Sequence, residues 1–183
     1  MKIYDTFIEG LKIVEPAVFN DERGCFFESY NRRKYLEKGI SAEFVQDNES
    51  FSVYGVVRGL HYQVAPFDQA KLVRVVSGLV FDVAVDLRKD SPTFGKWFGI
   101  ELSGENRKQL FIPRGFAHGF SVLSPNASFA YKCDNWYHQP SERAVRFDDP
   151  VLNISWQIPI ASLVVSEKDR DAPFFEQADL NFS

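Results

Sequence analysis

A chain of 183 residues, 45% hydrophobic and 25% charged, is long enough for one domain with a real core and has an ordinary globular balance. Its net charge of -4 argues against nucleic-acid binding, while leaving room for a local Arg and Lys cluster around a small anion. Cys25 and Cys133 form neither a disulfide framework nor a zinc spacing, the Met1–Asp5 start lacks an apolar signal core, and no apolar run approaches the roughly 20 residues of a membrane span, so a soluble cytoplasmic protein with no membrane contact is expected.

Aromatic residues make up 15% of the chain, and flat rings in that number suit sheet faces better than isolated helices. Gly10–Val14 reads as a β-type run leading into Pro16. Asn31–Lys38, closed by Gly39, predicts a short helix with a glycine cap. Phe44–Gln46 is a brief β-type run, with Gln46, Asp47 and Asn48 at its end. Val56–Gln63 and Lys71–Val76 follow, and Ser77-Gly78 signals a hairpin into Leu79–Leu87. That return strand alternates, with Leu79, Phe81, Val83, Val85 and Leu87 on one face and Val80, Asp82, Ala84 and Asp86 on the other. Trp97–Leu102, Gln109–Ile112, Gly119–Leu123, Phe129–Asp134 and Arg143–Phe147 complete the strands. Near the end, Ser166 reads as a helix N-cap with Asp169 in the capping-box position. The expectation is one all-β domain over 1–183: an N-terminal arm to about residue 45, an antiparallel barrel or sandwich from about 46 to 150, and a C-terminal helical segment over about 151–183.

Histidine is scarce: His61, His118 and His138. Metal-binding barrels of this texture use two histidines one residue apart, and His61 is followed by Tyr62-Gln63. A metal set of His61, Glu28 and His118 requires assembly in space alone, so no metal is expected. Neither a dinucleotide nor a phosphate-loop glycine pattern occurs, and no nucleophile elbow. Instead, polar residues sit inside strand-like runs: Arg23 and Glu28 among aromatics, Arg58 and His61 within an apolar run, Lys71 at a strand start, His118 between glycine-flanked apolar residues, and Tyr131 in an aromatic and charged stretch. Inward charges in a barrel are costly unless they line a ligand cavity, so one polar pocket is expected.

Nine segments carry a specific resemblance: RGCFFE at Arg23, FVQDNES at Phe44, GVVRGLHYQ at Gly55, KLVRVVSG at Lys71, FDVAVDLRKDSPTFG at Phe81, FIPRGFAHGF at Phe111, YKCDNWY at Tyr131, FDDP at Phe147 and SEKDRDAP at Ser166. In this order and spacing, from Phe7 to Pro173, the chain resembles the dTDP-4-dehydrorhamnose 3,5-epimerase family. The resemblance implies a jelly-roll β-barrel of the cupin type, a homodimer with swapped N-terminal strands, and no cofactor. It also implies epimerisation at C3 and C5 of dTDP-4-keto-6-deoxy-D-glucose, giving dTDP-4-keto-L-rhamnose. Relatives that invert one carbon only, or isomerise the ketone, share these motifs. Outside the family, the competing readings are a non-catalytic sugar-binding barrel and a metal-dependent oxygenase.

By that resemblance His61 is the base, Asp169 its partner and Tyr131 the acid. Lys71 and Arg58 stabilise the enolate oxygen or meet phosphate, and Tyr137 stacks on the thymine. Arg23, Glu28, Gln46, Asp47, Asn48, His118, Glu142 and Lys168 match substrate-binding positions, several of them reaching across from a partner subunit. Trp136-Tyr137 departs from the two tyrosines often found there. A flat strand points Arg58 away from His61, and a bulge or twist at Gly59 is what could reunite them.

Overall fold

The computed structural model describes residues 1–182. Two antiparallel sheets face each other. The first runs, in spatial order, β1 (Lys2–Asp5), β2 (Lys12–Glu15), β10 (Gln109–Ile112), β7 (Lys71–Ser77), β12 (Asn126–Cys133) and β5 (Gln46–Val53). The second runs β13 (Glu142–Ala144), β6 (Val56–Gln63), β11 (Phe116–Val122), β8 (Leu79–Asp86) and β9 (Trp97–Ser103), with β14 (Val164–Val165) parallel to β6. This is the jelly-roll barrel of the cupin type. β3 (Val18–Asp21) and β4 (Gly24–Phe27) form a separate hairpin. β1 and β2 extend the barrel sheet, so of the first 45 residues it is the hairpin and the helix α1 (Arg32–Glu37) that stand outside it.

Side-chain alternation explains the packing. Val73 and Val75 of β7 and Phe129 of β12 meet Val80, Ala84, Phe116, Phe120 and Val122 of the opposite sheet in a buried core between the layers. The other face of β8 is equally buried: Phe81, Val83, Val85 and Leu87 lie under Trp156, Phe175 and Phe182 of the C-terminal segment. The face of β8 that carries Asp82 and Asp86 is thus interior, and both carboxylates are fully buried. Asp86 is compensated locally by Arg88, Ser91 and Thr93, which tie down the following loop.

Both expected helices form. Asn31 caps α1 by accepting the Lys34 N–H, and α1 buries Tyr35 against Leu72 and Phe111 on the outer face of the first sheet. Ser166 caps α2 (Glu167–Arg170) by accepting the Asp169 N–H at 3.2 Å. β1, β3, β4 and β14 lie outside the expected strands, β13 is shorter than Arg143–Phe147, and β5 differs in a way that matters for the site. Gln46, Asp47 and Asn48 do not follow a strand end; they open β5, which continues to Val53. The inward positions of β5 are Gln46, Asn48, Ser50 and Ser52, so its period is polar and gives no hydrophobic alternation to read.

Gly59 sits where two strands of the barrel come too close for a side chain. Its φ is +134°, and a Cβ there would stand 2.5 Å from Gly119 Cα and 2.9 Å from the His118 carbonyl oxygen. Two glycines let β6 and β11 approach where the ladder slips, since β6 pairs as His118 with His61 and Phe120 with Arg58. Gly59→Ala is expected to cost about 2 kcal/mol, seen as a melting point lower by roughly 4–8 °C, because backbone here has no room to yield. An unchanged melting temperature would contradict this packing.

Candidate active site

The slip between β6 and β11 builds the site. Three residue steps on β6, Arg58 to His61, are matched by two on β11, Phe120 to His118. One extra residue on one strand turns both side chains to the same side. Arg58 and His61 accordingly line one cavity of about 210 Å³ between the sheets, together with Lys71, His118, Tyr131, Tyr137 and Glu142. The flat-strand reading, which points Arg58 away from His61, gives way to an irregularity beside Gly59.

His61 and Asp169 are joined although 108 residues separate them. The His61 Nε2 lies 2.6 Å from Asp169 Oδ1, and Asp169 Oδ2 accepts the Gly59 N–H at 3.5 Å. Two readings of Asp169 thus hold together: its backbone N–H completes the cap on Ser166, and its side chain serves His61. Burial alone raises the Asp169 carboxyl; the bond to His61, the charge of His61 and the Gly59 N–H reverse that and hold it below the ordinary carboxylate range.

Tyr131 and Lys71 stand on adjacent strands of the opposite sheet, with the Lys71 Nζ 6.0 Å from the Tyr131 ring centre. Burial, aided by nearby Cys133, pushes the Tyr131 phenol up, so it stays protonated at neutral pH. Burial pushes the Lys71 ammonium down, an effect offset in part by Cys133, Asp82 and Glu142. His118 forms part of the floor; it is buried, and its Nε2 lies 2.9 Å from Asp82 Oδ2.

The rim is a chain of polar contacts. The exposed Tyr137 donates its hydroxyl to Glu142 at 3.0 Å, and Lys168 donates to the same oxygen at 2.6 Å. Burial raises the Glu142 carboxyl, but the Lys168 and Tyr137 bonds outweigh it and leave it low. The Gln46 side chain accepts the Tyr137 N–H at 3.0 Å and donates to Asn48 at 3.0 Å. Asn48 faces inward toward Cys133.

Three of the expected substrate-binding residues lie elsewhere. Arg23 is exposed at the hairpin turn against Asp21, and Glu28 is held by Lys34 and Asn31. Asp47 pairs with Lys132 at 2.8 Å on the outer face of the first sheet, where a groove of about 400 Å³ also takes in Glu49 and Arg74. A metal set of His61, Glu28 and His118 is not assembled, because Glu28 is held against α1. Among the described residues no group of three or more His, Cys, Asp or Glu side chains is placed to hold a metal ion. Sequence reasoning gave no role to Ser52, which accepts from Arg58 Nε at 3.0 Å, or to Asp82 beneath His118. The polar alternation of 46, 48, 50 and 52 was the available signal for the first.

Facing sheets around a cavity with a histidine–carboxylate pair, a protonated phenol and an enclosed lysine define a jelly-roll enzyme equipped for acid/base chemistry. The family model for dTDP-4-dehydrorhamnose 3,5-epimerase matches residues 5–177. A dTDP-4-dehydrorhamnose 3,5-epimerase of Shigella flexneri is 53% identical over 180 residues, covering 98% of each chain. The crystal structure of the enzyme of that name from Elizabethkingia anophelis NUHP1 superposes with a TM-score of 0.92 at 55% identity, covering 96% of this chain and 97% of that one. A dTDP-6-deoxy-D-glucose-3,5-epimerase from Legionella pneumophila Philadelphia 1, in complex with dTDP-4-keto-L-rhamnose, gives 0.93 at 51% identity, covering 97% and 94%. The chain belongs to the dTDP-4-dehydrorhamnose 3,5-epimerase family.

The low carboxyl of Asp169 fixes a pH dependence. Above the ordinary carboxylate range of about pH 4 the pair stabilises the fold in full; as pH falls through the lower folded value that contribution is lost. The stability gap between wild type and Asp169→Asn, measured by urea melts, should therefore close in strong acid. A gap as wide in strong acid as at about pH 5 would refute a carboxylate held low by these contacts.

Proposed function

We propose that this protein inverts C3 and C5 of dTDP-4-keto-6-deoxy-D-glucose by proton exchange next to the ketone, yielding dTDP-4-keto-L-rhamnose. The observation that carries the reading is the 2.6 Å His61–Asp169 contact in the cavity that also holds Tyr131 and Lys71. A ketone lets its α-carbons lose a proton by moving charge onto oxygen. His61 takes that proton, Asp169 fixes the ring and stabilises its cation, and Lys71, with Arg58 nearby, stabilises the oxygen. Tyr131 returns a proton to the opposite face, which inverts the carbon. Acid, base and oxyanion stabiliser are all side chains, so the reading calls on no metal and no cofactor. A sugar-binding barrel without chemistry has no use for a carboxylate-backed histidine.

The nucleotide lies at the rim. Tyr137, exposed and braced by Glu142 and Lys168, offers its ring to the thymine, with Gln46, Asn48 and His118 further in along the sugar. Tyr137→Ala should weaken dTDP binding by about 1–3 kcal/mol with little effect on turnover of bound substrate; unchanged affinity in calorimetry would remove the stacking role.

Arg23, Glu28 and Asp47 suit a second copy of the chain better than this one. Among the described residues the β3–β4 hairpin pairs with no other strand, and Phe19 and Phe26 on it are 66% and 71% exposed. Phe51 and Val53 on β5 are likewise bare. Two copies exchanging these hairpins would cover the rings and carry Arg23 and Glu28 to the partner's site. The whole of 1–183 then acts as one unit of arm, barrel and C-terminal segment. Free thiols at Cys25 and Cys133 and the lack, among the described residues, of a helix able to cross a membrane fit work in the cytoplasm.

Paired variants test the chemistry. His61→Asn removes the base and should lower turnover by roughly 100- to 10,000-fold. Tyr131→Phe keeps the ring and deletes the phenolic proton, so the enolate forms but lacks a donor on the inverting face. In deuterated water, followed by NMR, this variant should exchange hydrogen at C3 or C5 faster than it forms epimer, while His61→Asn does neither. Exchange and epimerisation falling together in Tyr131→Phe would show that Tyr131 helps form the enolate.

A further inference from the structure

Tyr137, the proposed seat of the thymine, is 54% exposed, so packing does little to hold its ring. Its backbone lies in residues 135–138, between β12 and β13 and outside any strand or helix. Backbone groups without a ladder need other partners, and here side chains supply them. Gln63 supplies two. Its Oε1 accepts the His138 N–H at 2.7 Å, and its Nε2 donates to the Trp136 carbonyl at 3.2 Å. One amide thus bonds the chain on both sides of Tyr137. The same Nε2 donates to the Phe67 carbonyl at 2.6 Å, and the Phe67 ring stacks on His138 at 3.8 Å. The Tyr137 N–H, between the two Gln63 bonds, goes to Gln46.

Gln63 follows His61 by two residues on β6, so both side chains leave the strand on the same face, and both border the cavity. Gln63 is only 5% exposed. A carboxamide has two N–H donors, and here they go to Trp136 and Phe67, so none is left for a substrate oxygen. Its bonds all run to backbone on the rim side of the cavity, and none runs to His61, Lys71 or Tyr131.

We propose that Gln63 is a positioning residue for nucleotide recognition: its buried amide clamps the backbone on both sides of Tyr137 and so presets that ring for the thymine. The cost of ordering an exposed rim segment is then met on folding rather than on binding. The strand that carries the proton acceptor also carries the amide that sets the nucleotide's seat, which ties the two ends of the substrate to one element. This inference rests on the reading of Tyr137 as the stacking ring.

Titration of dTDP into the full chain, followed by calorimetry, tests it. Gln63→Met keeps the length of the side chain and removes all three hydrogen bonds. It should weaken dTDP binding by roughly 3- to 10-fold, the scale of one side chain's ordering cost, and raise KM by a larger factor than it lowers kcat. A residue that acts through Tyr137 has nothing to act on once the ring is gone. In a Tyr137→Ala background the same substitution should therefore change dTDP affinity by less than about twofold. Unchanged affinity in Gln63→Met, a loss confined to kcat, or an equal loss of affinity in the Tyr137→Ala background overturns the proposal. Should Gln63→Met not fold, amide hydrogen exchange in wild type decides. A His138 N–H protected well beyond an open loop supports the clamp, and one that exchanges as fast as an open loop contradicts it. Tyr137→Ala alone separates the two levels. Unchanged dTDP affinity there defeats the stacking reading and this proposal with it, whereas weakened affinity beside an unaffected Gln63→Met defeats only the role of Gln63.

Discussion

The contact between His61 and Asp169 joins the barrel to the C-terminal segment across 108 residues, and the geometry of the site depends on it. The parallel pairing of β14 with β6 brings the C-terminal segment back across the barrel at Val56 and Val57. The Ser166 cap then starts α2 at the one point where its third residue reaches over Gly59. Gly59 must lack a Cβ so that β6 can approach Gly119, and the slip that follows turns His61 inward. Loss of any of these steps would displace the carboxylate or the ring. Positioning to about an ångström is worth orders of magnitude in rate, so the stability of the C-terminal segment and the competence of the site are the same property.

The space between the sheets is divided by chemistry. One half is apolar, and Phe129, stacked on Phe120 at a ring separation of 4.2 Å, stands at its border as part of the cavity wall. The other half gathers Arg58, His61, Lys71, His118 and Tyr131. Charges enclosed this way interact more strongly than in water and cost more to leave alone. The fold answers with local partners: Asp169 for His61, Asp82 for His118, Ser52 for Arg58. The same enclosure moves the phenol of Tyr131 up and the ammonium of Lys71 down. Those opposite shifts suit one group to donating a proton and the other to stabilising a transient negative charge nearby. Apolar packing thus sets the chemistry as directly as the polar side chains do.

Much of this was legible in the sequence. Val56–Gln63 and Gln109–Ile112 read correctly to the residue because they carry hydrophobic runs bounded by turn signals. Both helices were marked by their caps. What escaped has a physical pattern. β5 buries polar residues on its inner face, so its alternation runs Gln, Asn, Ser, Ser and resembles a loop. β14 is two residues long and exists because of its neighbour, not its own propensity. The interior position of Asp82 and Asp86 depends on the C-terminal segment covering β8, which no local period announces. Among site residues, His61, Asp169, Tyr131 and Lys71 came from family motifs. Their convergence on one cavity came from a strand slip that periodicity alone predicts against.

That slip explains why Arg58 and His61 can serve one site although three residues apart. In a regular strand, an odd separation sends side chains to opposite faces. Here β11 supplies one residue fewer than β6, so the pairing of His118 with His61 is offset by one from that of Phe120 with Arg58. The extra residue is absorbed next to Gly59, whose missing Cβ also leaves room for the backbone N–H to meet Asp169. A single glycine therefore performs three tasks: it admits close strand approach, reunites Arg58 and His61 on the cavity wall, and presents an N–H to the carboxylate that backs the base. A larger residue would disturb all three at once, which is a stronger constraint on this position than any one of them alone.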